Sequence, residues 1–146
     1  MTMKLLTGGC HCCNIEYQFH LSVAAEVLPL RACTCSYCTA QSAVYTSDHN
    51  GHLAVSVKDE KLIGRYQFAS KVADFIFCQT CGVMPFVIAK INGQLYAVIN
   101  INTLDSSLNR AQITHVELSN ETVTAGQQRR SQIWIPSVTG LERLYA

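Results

Sequence analysis

Three cysteines stand close together in this chain, Cys33, Cys35 and Cys38, in the pattern C-x-C-x-x-C. This spacing lets three sulfur atoms reach one point, and thiolate sulfur favours a soft divalent metal such as zinc. Three protein ligands leave one position of a tetrahedral site free, as in zinc sites that carry out reactions. The pattern therefore predicts a reactive zinc centre.

Four further cysteines form two short pairs, Cys10 with Cys12 and Cys78 with Cys81. Together they supply the four ligands of a closed structural zinc site, although spacing alone does not exclude other pairings. The eighth cysteine, Cys13, either packs as a small core residue or provides an extra thiolate that closes the three-cysteine site. We expect two zinc ions per chain with different roles.

The composition indicates one compact domain over residues 1–146, because 49% of the residues are hydrophobic and 14% are charged. A formal charge of +1 without a basic stripe argues against a nucleic-acid partner, and we interpret Arg129-Arg130 as part of a solvated turn. No apolar run approaches the ~20 residues of a membrane span or the apolar region of a signal peptide. We expect a cytoplasmic protein, whose closely spaced cysteines bind metal rather than form disulfides.

The elements that must position these cysteines are short strands. Alternating apolar residues predict a strand over Cys13–Leu21, preceded by a turn at Gly8-Gly9. The firmest hairpin joins Met84–Lys90 to Gln94–Ile101 through a type I′ turn at Asn92-Gly93. The cysteine pairs therefore lie in the turns at strand ends.

Weaker patterns predict the remaining elements and complete a mainly β, antiparallel domain stapled by zinc-binding cysteine knuckles. The predicted strands are an edge strand at Val27–Ala32, an antiparallel pair at Leu53–Val57 and Leu62–Phe68, and short strands at Phe75–Phe77, His115–Leu118 and Gln132–Ile135. One helical turn is predicted at Thr39–Val44, and a loose tail or short helix at Thr139–Ala146. Metal binding would be part of folding, because the four-cysteine site joins distant segments.

Three motifs, in this order and spacing, resemble those of the glutathione-dependent formaldehyde-activating enzymes, a family with a β-tent fold. They are Gly8-Gly9-Cys10-His11-Cys12, Cys33-Thr34-Cys35-Ser36-Tyr37-Cys38 and Phe77-Cys78-Gln79-Thr80-Cys81-Gly82, with a looser match at Asn102-Thr103-Leu104-Asp105. Each cysteine pair is common alone, whereas the combination is specific. The resemblance implies a β-tent.

The resemblance also implies roles for the cysteines and a reaction. It implies a structural zinc at Cys10, Cys12, Cys78 and Cys81, and a catalytic zinc at Cys33, Cys35 and Cys38. The implied chemistry is that of a carbon–sulfur lyase, which joins a small thiol such as glutathione to an aldehyde such as formaldehyde, or releases it. The three cysteines of the catalytic site would act as metal ligands rather than as nucleophiles.

Two positions depart from the family pattern, and they leave a second function open. Cys13 stands where glycine is usual, and Thr39 where arginine is frequent. The alternative function is a non-catalytic zinc module for protein interaction or thiol carriage. If glutathione is the substrate, Arg31 and Arg65 are candidate partners for its carboxylates. Further interpretations are that Tyr37 shields the metal and that the only tryptophan, Trp134, is a core residue.

Overall fold

The computed structural model describes residues 4–146, which form eleven strands and two α-helices. The strands are β1 (Leu5–Gly9), β2 (Ile15–His20), β3 (Leu30–Cys33), β4 (Tyr45–Thr46), β5 (His52–Val57), β6 (Ile63–Tyr66), β7 (Asp74–Cys78), β8 (Phe86–Ile91), β9 (Gln94–Asn100), β10 (Ile113–Val116) and β11 (Ser137–Thr139). The helices are α1 (Ser36–Gln41) and α2 (Val123–Ile133). The prediction of a mainly β protein is confirmed.

The first sheet has four strands in the order β1-β2-β5-β11. Its centre is the predicted alternating strand, in which Ile15, Tyr17 and Phe19 are buried and the residues between them are exposed. β2 pairs antiparallel with β1 and with β5, and β11 adds to β5 in parallel. One face of this sheet therefore covers the core.

The second sheet has seven strands in the order β10-β3-β4-β9-β8-β7-β6. The predicted hairpin of β8 and β9 is confirmed, with Ile91 opposite Gln94. Asn92 and Gly93 between them have φ angles of 51° and 80°, as a type I′ turn requires. A single hydrophobic core joins the two sheets, and the Tyr17 ring of the first meets the Phe86 ring of the second edge to face at 6.1 Å.

Several predicted elements are wrong in type, in pairing or in their position in the sheet. The Gly8-Gly9 segment belongs to β1, where a Cβ on Gly8 would lie 2.5 Å from the Tyr17 hydroxyl. β5 and β6 pair in different sheets rather than with each other. β3 lies inside the second sheet, where β10 pairs with it in parallel, so it is not an edge strand.

The C-terminal part differs most from the prediction. Helix α2 covers Gln132 and Ile133 of the strand predicted at Gln132–Ile135, of which only Ile135 pairs, in an isolated antiparallel bridge with Ala97. The predicted helical turn at Thr39–Val44 begins earlier, as α1. The predicted loose tail packs instead, because Leu141 is buried in the core and the Tyr145 hydroxyl donates to Asp74 at 2.5 Å. Within residues 4–146, neither helix has the length and apolar character needed to cross a membrane.

Candidate metal centres

Four cysteines from two distant parts of the chain meet in space. Cys10 and Cys12 lie in the turn between β1 and β2 of the first sheet, whereas Cys78 ends β7 of the second sheet and Cys81 follows it. All four Sγ atoms lie within 4.8 Å of one another, and we name them the four-cysteine cluster. A metal ion held there would join the two sheets.

The donor set and spacing of the four-cysteine cluster fit a zinc ion. The Sγ atoms of Cys10 and Cys12 are 3.8 Å apart, and those of Cys12 and Cys78 are 3.5 Å apart. Tetrahedral zinc with bonds of about 2.3 Å places its sulfurs about 3.8 Å apart. The spacing therefore suits a closed site of four thiolates.

Backbone amides donate to sulfur atoms of this cluster, although burial raises the pKa of the Cys10 thiol to about 12. The Ile15 amide donates to the Cys10 sulfur at 3.2 Å. Burial raises the pKa of the Cys81 thiol, but hydrogen bonds from the Val83 and Cys12 amides outweigh it and lower that pKa to about 6. Gly82, directly after Cys81, has a φ of 79°, a left-handed conformation that glycine adopts readily.

The other three metal-ligating cysteines come from one short segment. Cys33 ends β3, Cys35 is the N-cap of α1, and Cys38 lies in the first turn of that helix. Their Sγ atoms lie within 4.8 Å of one another, and we name them the three-cysteine cluster. The start of a six-residue helix is thus enough to gather three sulfurs, without any distant segment.

A buried tyrosine contacts the three-cysteine cluster from the neighbouring strand. The hydroxyl of Tyr45, on β4, lies 3.2 Å from the Cys38 sulfur. Burial raises the pKa of Tyr45, so its phenol keeps its proton and can donate to sulfur. A hydrogen bond from Cys38 lowers the pKa of the Cys33 thiol to about 6. The hydrogen bond with Cys33, and next burial, raise the pKa of the Cys38 thiol, so the geometry favours thiolate, the form that binds metal, at Cys33 first.

The three-cysteine cluster opens on a cavity of about 550 Å³. All three cysteines line it, together with apolar side chains of the second sheet and of the segment around α2. Among the described residues, those that line it include none of the four-cysteine cluster. The volume lies within the ~300–1,000 Å³ of small-molecule pockets. The two clusters therefore differ in access to a ligand.

Charged side chains form one wall of this cavity. Arg31 comes from β3, and Arg129 and Arg130 come from α2. The carboxylate of Glu121 accepts from Arg129 Nε at 2.7 Å and Nη2 at 3.0 Å, which lowers the pKa of Glu121. The interpretation of Arg129-Arg130 as a solvated turn is wrong, because both lie on α2 and line the cavity.

Aromatic side chains pack around the three-cysteine cluster and its cavity. Tyr37 packs on Phe75 with ring centroids 4.7 Å apart, and on Tyr66 and Phe68 at 5.3 and 5.5 Å. This packing supports the interpretation that Tyr37 shields the cluster. Trp134 is 7% exposed, in agreement with a core role, and it also lines the cavity.

Other candidate residues lie away from the cavity. Cys13 is exposed with a φ of 70°, and among the described residues it joins neither cluster. It follows Cys12 in the turn of the four-cysteine cluster, so it is neither a core residue nor placed to close the three-cysteine site. Arg65 is 42% exposed, stacks on Tyr145 and does not line the cavity. Thr39 is exposed on α1 and also does not line it.

The sequence interpretation missed Tyr45 and the role of α2. Tyr45 stands seven residues after Cys38 without a motif, and only the pairing of β3 with β4 brings it to the sulfur. Helix α2 carries few apolar residues, so it gives little helical periodicity. The adjacent pair Arg129-Arg130 was the one feature of the sequence that could have indicated the charged wall of the cavity.

Comparison with known proteins agrees with the motifs. A sequence model of the family described as "Glutathione-dependent formaldehyde-activating enzyme" matches residues 5–120. A crystal structure of a Rhodobacter sphaeroides protein is similar, with a TM-score of 0.57 and 24% sequence identity over 75% of this chain and 99% of that one. The structural likeness supports the fold, and the family match covers most of the sequence. The chain belongs to the family of glutathione-dependent formaldehyde-activating enzymes.

Proposed function

We propose that this member of the family is a zinc-dependent carbon–sulfur lyase that forms or cleaves thiol–aldehyde adducts of the glutathione–formaldehyde type. The reaction would take place at Cys33, Cys35 and Cys38. The observation that carries the proposal is the position of these three sulfurs, which are gathered at the wall of a cavity large enough for a small thiol and an aldehyde.

The proposal assigns one zinc ion to each cluster. Cys10, Cys12, Cys78 and Cys81 would hold the structural ion with four thiolates, and the three-cysteine cluster would hold the catalytic ion. When bound there, zinc supplies a Lewis acid with a free position, which takes a thiol as its thiolate at neutral pH. The three cysteines act as ligands and stay bound throughout.

The residues of the chain contribute a closed, largely apolar surrounding and a fixed hydrogen bond. Phe75, Val87 and Val98 line the cavity and exclude water from the reacting sulfur. The Tyr45 phenol, which also lines the cavity, hydrogen-bonds with Cys38, which fixes the orientation of the sulfur and moderates its negative charge. Holding thiol and aldehyde together in this space raises their effective concentration, which favours addition of sulfur to the carbonyl carbon.

No strong base faces the cavity within residues 4–146. Glu121 is the one carboxylate that lines it there, and its two hydrogen bonds from Arg129 keep its pKa low. A carboxylate of low pKa is a poor proton acceptor near pH 7. The chain therefore offers no carboxylate among the described residues of this lining that would accept the thiol proton near pH 7.

The test uses a substitution that keeps the local backbone. Cys35 accepts a hydrogen bond from the Cys38 amide as the N-cap of α1, and serine serves equally well as an N-cap. We expect the zinc-loaded Cys35→Ser variant to stay folded and to lose about 10²-fold or more of its acceleration of glutathione–formaldehyde exchange, measured by NMR above the spontaneous rate.

Cys13→Ser is the matched control, because Cys13 belongs to neither cluster and should keep full activity. The proposal fails if Cys35→Ser keeps both its zinc and its activity. It also fails if the zinc-loaded wild-type protein gives no acceleration, in which case thiol carriage becomes the better account.

A further inference from the structure

The arginines that line the cavity differ in what already holds them. Arg129 makes two hydrogen bonds to Glu121, and Arg31 Nη2 donates to the Ser47 hydroxyl at 2.6 Å. Arg130 is different, because its Nε and Nη1 atoms are buried and have no hydrogen-bond partner. Buried donors without a partner are rare in folded proteins, since each loses its hydration without compensation.

The backbone and an aromatic ring prepare the position of Arg130. Its guanidinium carbon lies 5.5 Å from the centre of the Trp134 ring. One helical turn earlier, Gly126 leaves the space for it, since a Cβ there would lie 3.0 Å from Arg130 Nη1 and also 3.0 Å from Glu121 Oε1. The guanidinium therefore lies between the Trp134 ring and the backbone at Gly126, while its Nε and Nη1 atoms have no hydrogen-bond partner.

The charges on this wall do not balance. Three guanidinium groups line the cavity against the carboxylate of Glu121 and the three-cysteine cluster, whose thiolates together with a zinc ion would add −1, so a positive charge remains. Burial, and next the charge of Arg129, lower the pKa values of both Arg31 and Arg130. An anion in the cavity beside Arg130 would relieve this repulsion.

We propose that Arg130 is the anion-binding residue of the cavity, and that it selects thiol substrates carrying a carboxylate group. The inference rests on the proposed function, because it names the class of thiol used at the three-cysteine cluster. The carboxylate would accept hydrogen bonds from the Arg130 guanidinium while the substrate sulfur reaches Cys33, Cys35 and Cys38 across the same cavity.

This selection would be a property of the C-terminal part of the chain. Arg130 lies beyond residues 5–120, which match the family. The position that frequently carries arginine in the family is Thr39 here, and it is exposed and outside the cavity lining. The cation that meets the substrate therefore comes from α2 instead of α1.

The test compares two forms of one ligand by isothermal titration calorimetry on the zinc-loaded protein. The ligands are glutathione and glutathione diethyl ester, in which both carboxylates are blocked. We expect the wild-type protein to bind glutathione about tenfold or more tightly than the ester. Arg130→Gln should weaken glutathione binding by about tenfold to a hundredfold and change ester binding less than about twofold.

Arg65→Gln is the matched control. It removes the same charge, and Arg65 also stacks on an aromatic ring, at 5.2 Å from the centre of Tyr145, but it does not line the cavity. We expect it to bind both ligands like the wild type. An equal loss in both arginine variants would overturn the proposal, because it would show a general charge effect.

A second variant addresses the possibility that Arg130→Gln disturbs folding. Gly126→Ala keeps every charge and favours the helix, but its Cβ would lie 3.0 Å from Arg130 Nη1 and from Glu121 Oε1, so both side chains must shift by a few tenths of an ångström. It should weaken glutathione binding severalfold and leave ester binding unchanged. Unchanged selectivity between acid and ester in both Gly126→Ala and Arg130→Gln would overturn the proposal while leaving the lyase function intact.

The two proposals fail in different ways. Wild-type protein that binds neither glutathione nor its ester would contradict the proposed function together with this inference. Wild-type protein that binds both equally, and still accelerates the exchange reaction, would contradict only the role of Arg130.

Discussion

The two cysteine clusters use the same ligand atom but hold different places in the fold. The four-cysteine cluster draws Cys10 and Cys12 from the first sheet and Cys78 and Cys81 from the second, so its metal would connect segments that are distant in sequence. The three-cysteine cluster comes from six consecutive residues at the end of β3 and the start of α1, and it lines a cavity. Under the proposed function, ligand number and topology together distinguish the structural site from the reactive one.

The largest expected difference between the clusters concerns folding. Cys78 is fully buried in the four-cysteine cluster, so Cys78→Ser should remove the structural metal. Structural zinc contributes about 10–16 kcal/mol in small domains, which is as large as the whole free energy of unfolding, about 5–15 kcal/mol. We expect loss of the cooperative thermal transition measured by circular dichroism.

Cys13→Ser is the control for this prediction and should change the free energy of unfolding by no more than about 0.5 kcal/mol. Cys35→Ser, in the other cluster, should keep a cooperative transition. The distinction between the clusters is wrong if Cys35→Ser unfolds the protein and Cys78→Ser does not.

A smaller effect should follow from removing the hydrogen bond between Tyr45 and Cys38 of the three-cysteine cluster. Tyr45→Phe deletes the hydroxyl that lies 3.2 Å from the Cys38 sulfur and keeps the ring in the core. Groups that orient metal ligands typically account for about tenfold to a hundredfold in affinity. We expect the more weakly bound zinc to lose about tenfold in affinity, measured by competition with a chromogenic chelator. An effect on the tightly bound zinc instead would contradict the assignment of Tyr45 to the reactive site.

The smallest expected effect concerns the turn beside the four-cysteine cluster. Cys13 has a φ of 70°, a conformation that costs residues other than glycine roughly 1–2 kcal/mol. Cys13→Gly removes this cost but also increases the entropy of the unfolded chain, which offsets part of the gain. The free energy of unfolding should therefore rise by about 1 kcal/mol or less. Denaturant titration measures it, and the zinc content should stay the same. A loss of zinc would show that Cys13 is a ligand after all.

The sequence was informative where chemistry is local. The spacing of Cys33, Cys35 and Cys38 predicted their meeting, and the alternation in β2 and the Asn92-Gly93 turn predicted strands correctly. The grouping of Cys10 and Cys12 with Cys78 and Cys81 followed from counting ligands, and the structure brings these four together.

Nonlocal features could not be predicted in the same way. The parallel pairing of β10 with β3 joins residues more than eighty positions apart, and no local pattern encodes it. Helix α2 is polar on most sides because part of it faces a cavity rather than a packed core, so the signal of an amphipathic helix is missing. Arg130 therefore looked like a surface residue in the sequence.

The most direct test of the difference between the clusters is a count of sulfur neighbours at the zinc edge by X-ray absorption, on anaerobically purified protein before and after mild chelation. We predict two zinc ions per chain at first, one with four sulfurs and one with three sulfurs and a lighter neighbour, matching the two clusters. After chelation the folded protein should keep only the ion with four sulfurs. A single zinc before chelation, or two ions that each have four protein sulfurs, would contradict the account.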